Sequence, residues 1–393
     1  MPRPTPARAD MVPRLAAFLR GYLRPGPGVA LSSETSFAGP GGPTPATLHL
    51  PSRRGDPRPG WVVLHGLTRT GRSHPGLVRF SRALAAAGHA VLVPEIVDWR
   101  ELRVRPAVAV PLIRAAVRAL DERRVSEPGG VGLIGFSFGA TQALIAAAGA
   151  GARAHLRGVA AWGGYRDLGR LFQFGLTGRH ELDGRLWAAA PDPYGGWVMG
   201  SNYLTRVPGY GGCDAAAAAL RELAVIAGDS EVFAGSPELD PVKRRVGAGL
   251  RGPDRSAFEI LAPPAGAWSA SGEPSEDAAG FALALAAAAL ESEPLLDPGP
   301  ALTRLRVPTI IAHGRDDRLV PFTEAERLAR ALGPGVLRRA TVTALFAHSG
   351  GAAPGLGPVG LARESARFLA LLGSILELAR GAPAGQSSSR PTT

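Results

Sequence analysis

Cysteine and lysine are nearly absent from this chain of 393 residues. Cys213 is the only cysteine, so an intramolecular disulfide cannot form and a cysteine-based metal site cannot be built. Lys243 is the only lysine, and almost every positive charge is therefore an arginine. These absences exclude a disulfide scaffold and a thiolate zinc domain.

Long hydrophobic runs are also lacking. Arg14 and Arg20 interrupt the apolar residues near the N-terminus, so we predict no signal peptide. The longest apolar run, at 278–290, is too short to span a bilayer and indicates a buried helix. We therefore expect a cytoplasmic protein without stable membrane insertion.

An amphipathic helix is predicted near the N-terminus. We expect it to pack on the body of the protein; the alternative is a membrane surface. Its apolar residues are Leu15, Ala16, Phe18, Leu19 and Leu23.

The net charge of +11 raises the question of nucleic-acid binding. The arginines are scattered along the sequence, and the aromatic residues, 6% of the chain, do not interleave with them as a stacking surface requires. We therefore predict no nucleic-acid partner. Hydrophobic residues make up 45% of the chain, which is typical of a globular protein with a large core.

Apolar runs and helix-forming stretches alternate over two parts of the chain. The predicted strands are 61–64, 89–93, 131–136, 159–162, 309–312 and 340–345, with helices between them. This alternation predicts an α/β fold with a mostly parallel, doubly wound sheet. The alternation of strands and helices is interrupted between about 165 and 300, where we predict a mainly helical insertion.

Five segments follow from this pattern. They are an N-terminal helix and linker at 1–40, the first part of the core at 41–165, the insertion at 166–300, the second part of the core at 301–380, and a disordered tail at 381–393. Within the first two, the Gly/Pro-rich stretch Gly39–Pro45 predicts a loop.

The sequence GFSFGA, at 135–140, places Ser137 between a predicted strand and a predicted helix. A sharp turn there leaves no room for a side chain two residues before or two residues after the serine, where it would crowd the strand or the helix. This explains Gly135 and Gly139. The pattern G-x-S-x-G is a nucleophile elbow, although an ordinary Gly-Ser turn also matches it.

A serine nucleophile needs a histidine base and an oriented carboxylate. Asp316 and Asp317 directly follow the strand at 309–312, and His348 follows the next strand. Such groups gather beyond the carboxyl ends of parallel strands. Serine, aspartate and histidine thus occur in the chain order of the α/β-hydrolase arrangement.

Together, LHGLTRTG (64–71), GFSFG (135–139), HGRDDRLVP (313–321) and the late His348 resemble the serine α/β-hydrolase superfamily. The resemblance implies an α/β-hydrolase fold in which the insertion forms a cap.

The same resemblance implies roles for three residues. Ser137 would be the nucleophile and His348 the base, and the family pattern HG-x-x-D-x-x-V-P selects Asp317 as the acid. Asp316 and Asp167 are the alternative acids.

Other residues follow from the chemistry of acyl transfer. An oxyanion hole needs two backbone N–H donors, which we expect from Leu67 and Phe138. His65 is expected to orient its own loop. The side chains predicted to line the substrate pocket are Phe136, Trp162 and Tyr165. Arg69 and Arg72 follow the HG dipeptide, and they are either surface arginines or binders of an anionic substrate group.

The sequence therefore predicts a serine hydrolase that cleaves a carboxylic ester or related small acyl substrate through an acyl-enzyme on Ser137. The same triad also serves acyltransferases and peptidases or amidases, and a non-catalytic ligand-binding protein of this fold is a further alternative. This chemistry requires no metal or organic cofactor. The expected partner is a small-molecule acyl substrate, and the sequence does not predict the oligomeric state.

Overall fold

An eight-stranded sheet forms the centre of the fold. The computed structural model describes residues 11–26, 28–53, 55–230, 232–267, 276–345 and 355–380. Strands within these ranges are β1 (Ala30–Gly39), β2 (Gly42–Pro51), β3 (Gly60–Leu64), β4 (Ala90–Pro94), β5 (Val131–Phe136), β6 (Leu156–Trp162), β7 (Arg179–Leu182), β8 (Arg185–Ala188), β9 (Thr309–Gly314) and β10 (Leu337–Thr343). Strands β7 and β8 pair with each other and form a separate hairpin.

The order across the sheet is β1-β2-β4-β3-β5-β6-β9-β10. Strands β1 and β2 are antiparallel to their neighbours, and the other pairs are parallel. Every residue of β3 and β4 is buried, as expected for parallel strands covered on both faces. The predicted mostly parallel α/β sheet is confirmed.

The antiparallel hairpin of β1 and β2 differs from the sequence prediction. The segment 1–40 was expected to hold only a helix and a linker, and Gly39–Pro45 was expected to be a loop, yet β1 ends at Gly39 and β2 begins at Gly42. Pro43 and Pro45 precede Ala46, where pairing of β2 with β4 begins, so their missing N–H groups remove no bond to β4. The glycines and prolines therefore mark a tight turn and the start of a strand.

Helices cover both faces of the sheet. They are α1 (Met11–Leu23), α2 (Pro75–Ala86), α3 (Val97–Arg100), α4 (Pro106–Asp121), α5 (Phe138–Ala147), α6 (Ala152–His155), α7 (Leu168–Thr177), α8 (Tyr194–Tyr203), α9 (Asp214–Ser230), α10 (Asp240–Gly247), α11 (Gly252–Leu261), α12 (Glu276–Ser292), α13 (Gly299–Arg304), α14 (Thr323–Ala331) and α15 (Pro358–Leu378). Short 3₁₀ turns lie at Gly71–Ser73, Leu204–Arg206, Pro237–Leu239 and Pro294–Leu296.

Helices α1, α2 and α15 contribute to one hydrophobic cluster on one face of the sheet. Phe18 of α1 is 2% exposed, and its ring centroid lies 5.5 Å from that of Phe80 in α2. The N-terminal helix therefore packs on the body of the protein, as predicted. Helices α4 and α5 belong to the other cluster, which also includes most of the insertion's core.

The insertion between β6 and β9 is mainly helical, although the sequence pattern did not indicate its β7–β8 hairpin. It is anchored on the core through α8. The Asn202 amide donates to Leu102 O at 2.9 Å and accepts from Val104 N at 3.2 Å, and the Tyr203 hydroxyl donates to Val104 O at 2.7 Å. These bonds fix one side of the insertion to the loop that follows α3.

Two predicted features lie outside the described residues: the tail at 381–393 and the segment that contains His348. Among the residues that are described, no helix is both long and apolar enough to span a membrane.

Candidate active site

Ser137 occupies a strained turn at the carboxyl end of β5. Its backbone has φ 57° and ψ −129°, a conformation that residues with a side chain rarely adopt. Ser137 N–H donates to Trp162 O at 2.8 Å, at the end of the neighbouring strand β6. The turn therefore lifts the half-buried serine side chain above the sheet edge, directly before α5.

The two glycines of GFSFG are required by backbone contacts. A Cβ atom at Gly135 would lie 2.1 Å from Gly139 O, and one at Gly139 would lie 2.3 Å from His65 O. Both distances are far below van der Waals contact, and in both cases the neighbour is backbone that cannot swing away. The nucleophile elbow predicted from the sequence thus has a direct steric basis.

Gly135→Ala is therefore expected to lower the free energy of unfolding by about 3 kcal/mol or more, because overpacking against backbone forces the turn to shift. Gly280→Ala in α12 is the matched control, since a Cβ there meets no atom within 4 Å. The control should be neutral or slightly stabilising, because alanine favours a helix by about 1 kcal/mol over glycine. Urea unfolding of both variants measures the difference; equal stabilities would contradict the steric argument.

The loop after β3 lies against Ser137. A Cβ at Gly66 would lie 3.0 Å from Ser137 Cβ, and Leu67 lines the same pocket as Ser137 and Phe138. Phe138 is the first residue of α5, so its N–H has no partner within the helix. The two backbone groups predicted to form an oxyanion hole thus belong to segments that meet at the serine.

His65 orients this loop. Its Nδ1 lies 2.7 Å from Gly66 O and its Nε2 lies 3.3 Å from Ile96 N, which assigns the proton to Nδ1 and leaves Nε2 as the acceptor. Burial lowers the pKa of His65 to about 4, so the ring is neutral at pH 7. His65 is therefore a local hydrogen-bonding residue, as expected.

Arg69 and Arg72 are both engaged in ion pairs. Arg69 Nε lies 2.8 Å from Asp229 Oδ1 of α9, and Arg72 lies 2.6 Å from Glu34 Oε2 and 3.4 Å from Glu95 Oε2. Neither arginine is among the described residues that line the pocket. These contacts favour a structural role over the alternative of binding an anionic substrate group.

Asp317 and Asp316 differ sharply in environment. Asp317 is 3% exposed, and its Oδ1 accepts N–H bonds from Leu319 and Val320, both at 2.9 Å. Asp316 is exposed. A triad acid must be held in one orientation, and only Asp317 of these two is fixed in this way.

His313 lies beside Asp317 at the end of β9. Its Nε2 lies 2.9 Å from Val320 O and 3.3 Å from Asp317 Oδ2, and the ring is fully buried. The third candidate acid, Asp167, has a different role, because it is the N-cap of α7 and its Oδ1 accepts from Arg170 N at 2.9 Å.

The strand that precedes His348 in the sequence was predicted at 340–345, and β10 begins three residues and ends two residues earlier. Strand β10 is the parallel neighbour of β9 and pairs Thr343 with Gly314. His348 itself lies outside the described residues. The carboxyl ends of β5, β9 and β10 thus lie along one edge of the sheet, so Ser137 and Asp317 each follow a strand at that edge.

A pocket of about 820 Å³, including the part open to solvent, lies above Ser137. The core contributes Leu67, Ser137, Phe138, Tyr165, Leu319 and Val320 to its lining. The insertion contributes Leu168, Leu171, Phe172, Gly175, Leu176, Asp192, Tyr194, Gly195, Gly196, Val198, Met199, Leu261 and Leu285. The insertion thus roofs the serine with a mostly apolar wall.

Two of the three side chains predicted to line this pocket lie elsewhere. Phe136 and Trp162 pack with each other and with Phe80, at ring-centroid distances of 5.1 to 6.3 Å, in the cluster beneath α1, α2 and α15. Successive side chains of a strand face opposite sides of the sheet, so Phe136 shares the face of Ile134, two residues before it in β5. Trp162 of the neighbouring strand β6 belongs to the same cluster. Tyr165 does line the pocket, and its hydroxyl donates to Leu296 O at 2.8 Å.

The described residues contain no cluster of three or more histidine, cysteine, aspartate or glutamate side chains able to hold a metal ion. The groups predicted to act with Ser137 are the backbone N–H groups of Leu67 and Phe138, which line the same pocket, and the buried carboxylate of Asp317, which follows β9 at the same edge of the sheet. Such groups suit proton transfer and stabilisation of an oxyanion.

Comparison with known proteins gives similarity in structure only. No protein-family model and no curated relative matches the chain. Among solved structures, the esterase Est22 is 14% identical with a TM-score of 0.50, over 95% of this chain and 88% of that one. A brefeldin A esterase described as a bacterial homologue of human hormone sensitive lipase is 19% identical (TM-score 0.48, 97% and 89% covered). An esterase of Pyrobaculum calidifontis is 16% identical (TM-score 0.46, 97% and 96% covered).

At these identities the similarity bears on the fold alone. Together with the strand order and the elbow at Ser137, the similarity to Est22 confirms the predicted fold: this chain has the α/β-hydrolase fold.

Proposed function

We propose that the protein is a serine hydrolase that cleaves a carboxylic ester or related small acyl substrate through an acyl-enzyme on Ser137. The observation that carries the proposal is the strained backbone of Ser137, at φ 57°, in the wall of a roofed apolar pocket. Strain at a residue with a side chain persists only where the surrounding structure enforces it, and it is concentrated at functional sites.

In the proposed reaction, His348 removes the proton from the Ser137 hydroxyl as its oxygen attacks the acyl carbon. Asp317 orients the imidazole and stabilises the imidazolium that forms. The N–H groups of Leu67 and Phe138 bind the oxyanion of the tetrahedral intermediate. The imidazolium then protonates the leaving alcohol, and a water molecule, activated by the same histidine, releases the acid from the acyl-enzyme.

The pocket supports a small apolar acyl substrate over a peptide. Its roof comes from α7, α8, α11 and α12, and bonds from Asn202 and Tyr203 tie α8 to the core, so a long chain has little room to lie across the serine. The leucines and Met199 of its wall suit an alkyl or aryl group, whose burial contributes to binding in proportion to its area.

Incubation with a fluorophosphonate probe is expected to give a single adduct, on Ser137, and p-nitrophenyl esters are expected to be hydrolysed. As the acyl chain lengthens from acetate, kcat/KM should rise by about fourfold per methylene until the pocket is filled, because burying one methylene contributes about 0.8 kcal/mol. Peptide mass spectrometry identifies the labelled residue, and initial rates at 405 nm give the chain-length profile.

The proposal fails if a folded protein, verified by circular dichroism, is neither labelled nor active on any ester of the series. Labelling at a residue other than Ser137 would also contradict it. Accumulation of product only when a second alcohol is added would instead favour acyl transfer by the same site.

A further inference from the structure

A second cleft lies at the carboxyl-terminal end of α5, where Ala146 lines it, whereas Ser137 lies at the other end of that helix. Its volume is about 500 Å³, including the part open to solvent. The apolar part of its lining includes Val117 of α4, Leu133 of β5 and Leu156 of β6. The cleft is separate from the pocket above Ser137, since none of the described residues lines both.

Two arginines one turn apart on α4 line this cleft. Arg114 and Arg118 share a helix face at this spacing, and like charges so placed repel each other. Burial lowers the pKa of Arg114, and the positive charges of Arg118 and Arg304 lower it further. Among the described residues of the lining, neither aspartate nor glutamate occurs. The cleft thus holds positive charge that no carboxylate of this lining balances.

Arg114 is held in place by the end of α5. Its Nε donates to Ala146 O at 3.0 Å and its Nη2 donates to Ile145 O at 3.4 Å, so the partial negative charge of the helix end offsets part of the arginine charge. A Cβ atom at Gly149 would overlap the Arg114 guanidinium, so the glycine leaves the room that this position requires. Arg114 is accordingly a fixed part of the cleft, and these two bonds do not use its Nη1.

Arg118 differs from Arg114 in its partners. Within the part of the chain that the structure describes, the exposed Arg118 guanidinium makes no hydrogen bond and no ion pair. The carboxylate of Asp121 accepts from His155 Nδ1 at 2.7 Å and from Gly130 N at 2.9 Å, and it does not itself line the cleft. The charge of Arg118 is therefore available to a ligand.

We propose that this cleft binds a small anion that carries a short apolar group. The carboxylate or phosphate head contacts Arg118 and Arg114, because the arginine fork binds either head through paired N–H bonds. The apolar group lies against Val117, Leu133 and Leu156, where its removal from water contributes to binding. This site lies outside the pocket above Ser137 and does not depend on the reaction proposed there.

Calorimetric titration of the full-length protein with five small molecules tests the proposal. They are hexanoate, hexyl phosphate, 1-hexanol, acetate and inorganic phosphate. At low ionic strength, at least one six-carbon anion should have a dissociation constant about tenfold or more below that of 1-hexanol, which has the same carbon chain without the charge. Acetate and inorganic phosphate should bind about tenfold or more weakly than their six-carbon counterparts, because they lack the apolar group. The tighter of the two six-carbon anions identifies the head group.

Variants of Arg118 assign the binding to this cleft. Arg118→Gln should raise the dissociation constant of the tighter anion about tenfold, because a charge-assisted bond is lost, and Arg118→Glu should abolish binding by repulsion. Arg118→Lys keeps the charge without the fork and should lose less than Arg118→Gln. Arg124→Gln is the matched control, since it removes the same charge from an exposed position just beyond α4 that does not line the cleft. Circular dichroism verifies that each variant is folded.

The proposal is overturned if neither six-carbon anion binds, or if 1-hexanol, acetate or inorganic phosphate binds as tightly. It is also overturned if Arg118→Gln leaves the dissociation constants unchanged, because the anion would then bind elsewhere, as in the pocket above Ser137. Equal losses in Arg118→Gln and Arg124→Gln would show an effect of net charge alone and would contradict a built site. None of these measurements requires turnover, so their result is independent of the proposed function.

Discussion

Replacement of Ser137 by alanine is expected to reduce ester hydrolysis by a factor of about 10⁵ or more and to abolish labelling by a fluorophosphonate. The alanine lacks the oxygen that would form the acyl-enzyme, and water attacking directly would form no covalent intermediate. The pocket and the two N–H groups of the proposed oxyanion hole should persist, so substrate binding is retained. Steady-state rates of ester hydrolysis measure the loss of activity, and titration of the active sites gives the concentration of active wild-type enzyme.

Ser137→Gly is the informative companion variant. Alanine keeps a Cβ in the strained conformation at φ 57°, whereas glycine adopts it freely. Both variants should be inactive, but the glycine variant should be more stable than the alanine variant by about 1 kcal/mol, because relief of backbone strain outweighs the added freedom of the unfolded chain. Urea unfolding compares the two. Wild-type activity in either variant would exclude Ser137 as the nucleophile.

This pair of variants tests the physical reason for the strained turn. A protein that needs only a turn at position 137 gains stability by placing glycine there. Retaining a serine in this conformation costs stability and gives a hydroxyl at the floor of the pocket. Backbone strain that is relieved only when the serine hydroxyl is lost, as in Ser137→Gly, is the trade-off between stability and activity expected of a functional residue.

The sheet could be predicted from sequence because its parallel strands are buried on both faces. The runs WVVL at 61–64 and VGLIGF at 131–136 leave little alternative to a covered strand, and each reappears within one residue of its predicted bounds. The β1–β2 hairpin was missed because its turn is rich in glycine and proline, as a linker would be. Strand β1 is mostly exposed, so its sequence shows neither an alternation of apolar residues nor a buried apolar run.

The pocket was predicted less well than the elbow, since its wall is assembled by tertiary packing. Phe136 is next to Ser137 in sequence, yet the alternation of the strand turns its side chain to the opposite face of the sheet. Most of the wall comes from the insertion, and Asp192 lies far from every motif that the sequence displays. A short acid-proline pair before a helix, as in Asp192-Pro193, is too common a capping signal to indicate a pocket residue.

The choice between neighbouring acids shows how the structure adds to a motif. The spacing in HGRDDRLVP selects Asp317 by resemblance alone, whereas burial and two N–H bonds to one carboxylate oxygen give a physical reason for the same choice. The two aspartates are adjacent and isosteric, so the sequence itself provides a matched control for the triad acid.

Asp317→Asn is accordingly expected to lower kcat by a factor of about 10⁴, whereas Asp316→Asn should stay within about threefold of wild type. The N–H groups of Leu319 and Val320 would hold the amide oxygen of the new asparagine at the Oδ1 position, so its NH₂ group takes the place of Oδ2. This NH₂ group is a hydrogen-bond donor, whereas the triad acid must accept a hydrogen bond from the ring N–H of the histidine base to fix its tautomer. Initial ester rates over pH 5 to 9, alongside circular dichroism, measure both variants.

The opposite result, with Asp316→Asn inactive and Asp317→Asn active, would assign the acid to the exposed aspartate and remove the argument from burial. Asp167→Asn provides a third arm, and it should remain active because asparagine also caps α7. If all three variants kept wild-type rates while Ser137→Ala lost activity, the base would be oriented without any of these carboxylates. Asp192, the only acid among the described residues of the pocket wall, would then be the next residue to replace.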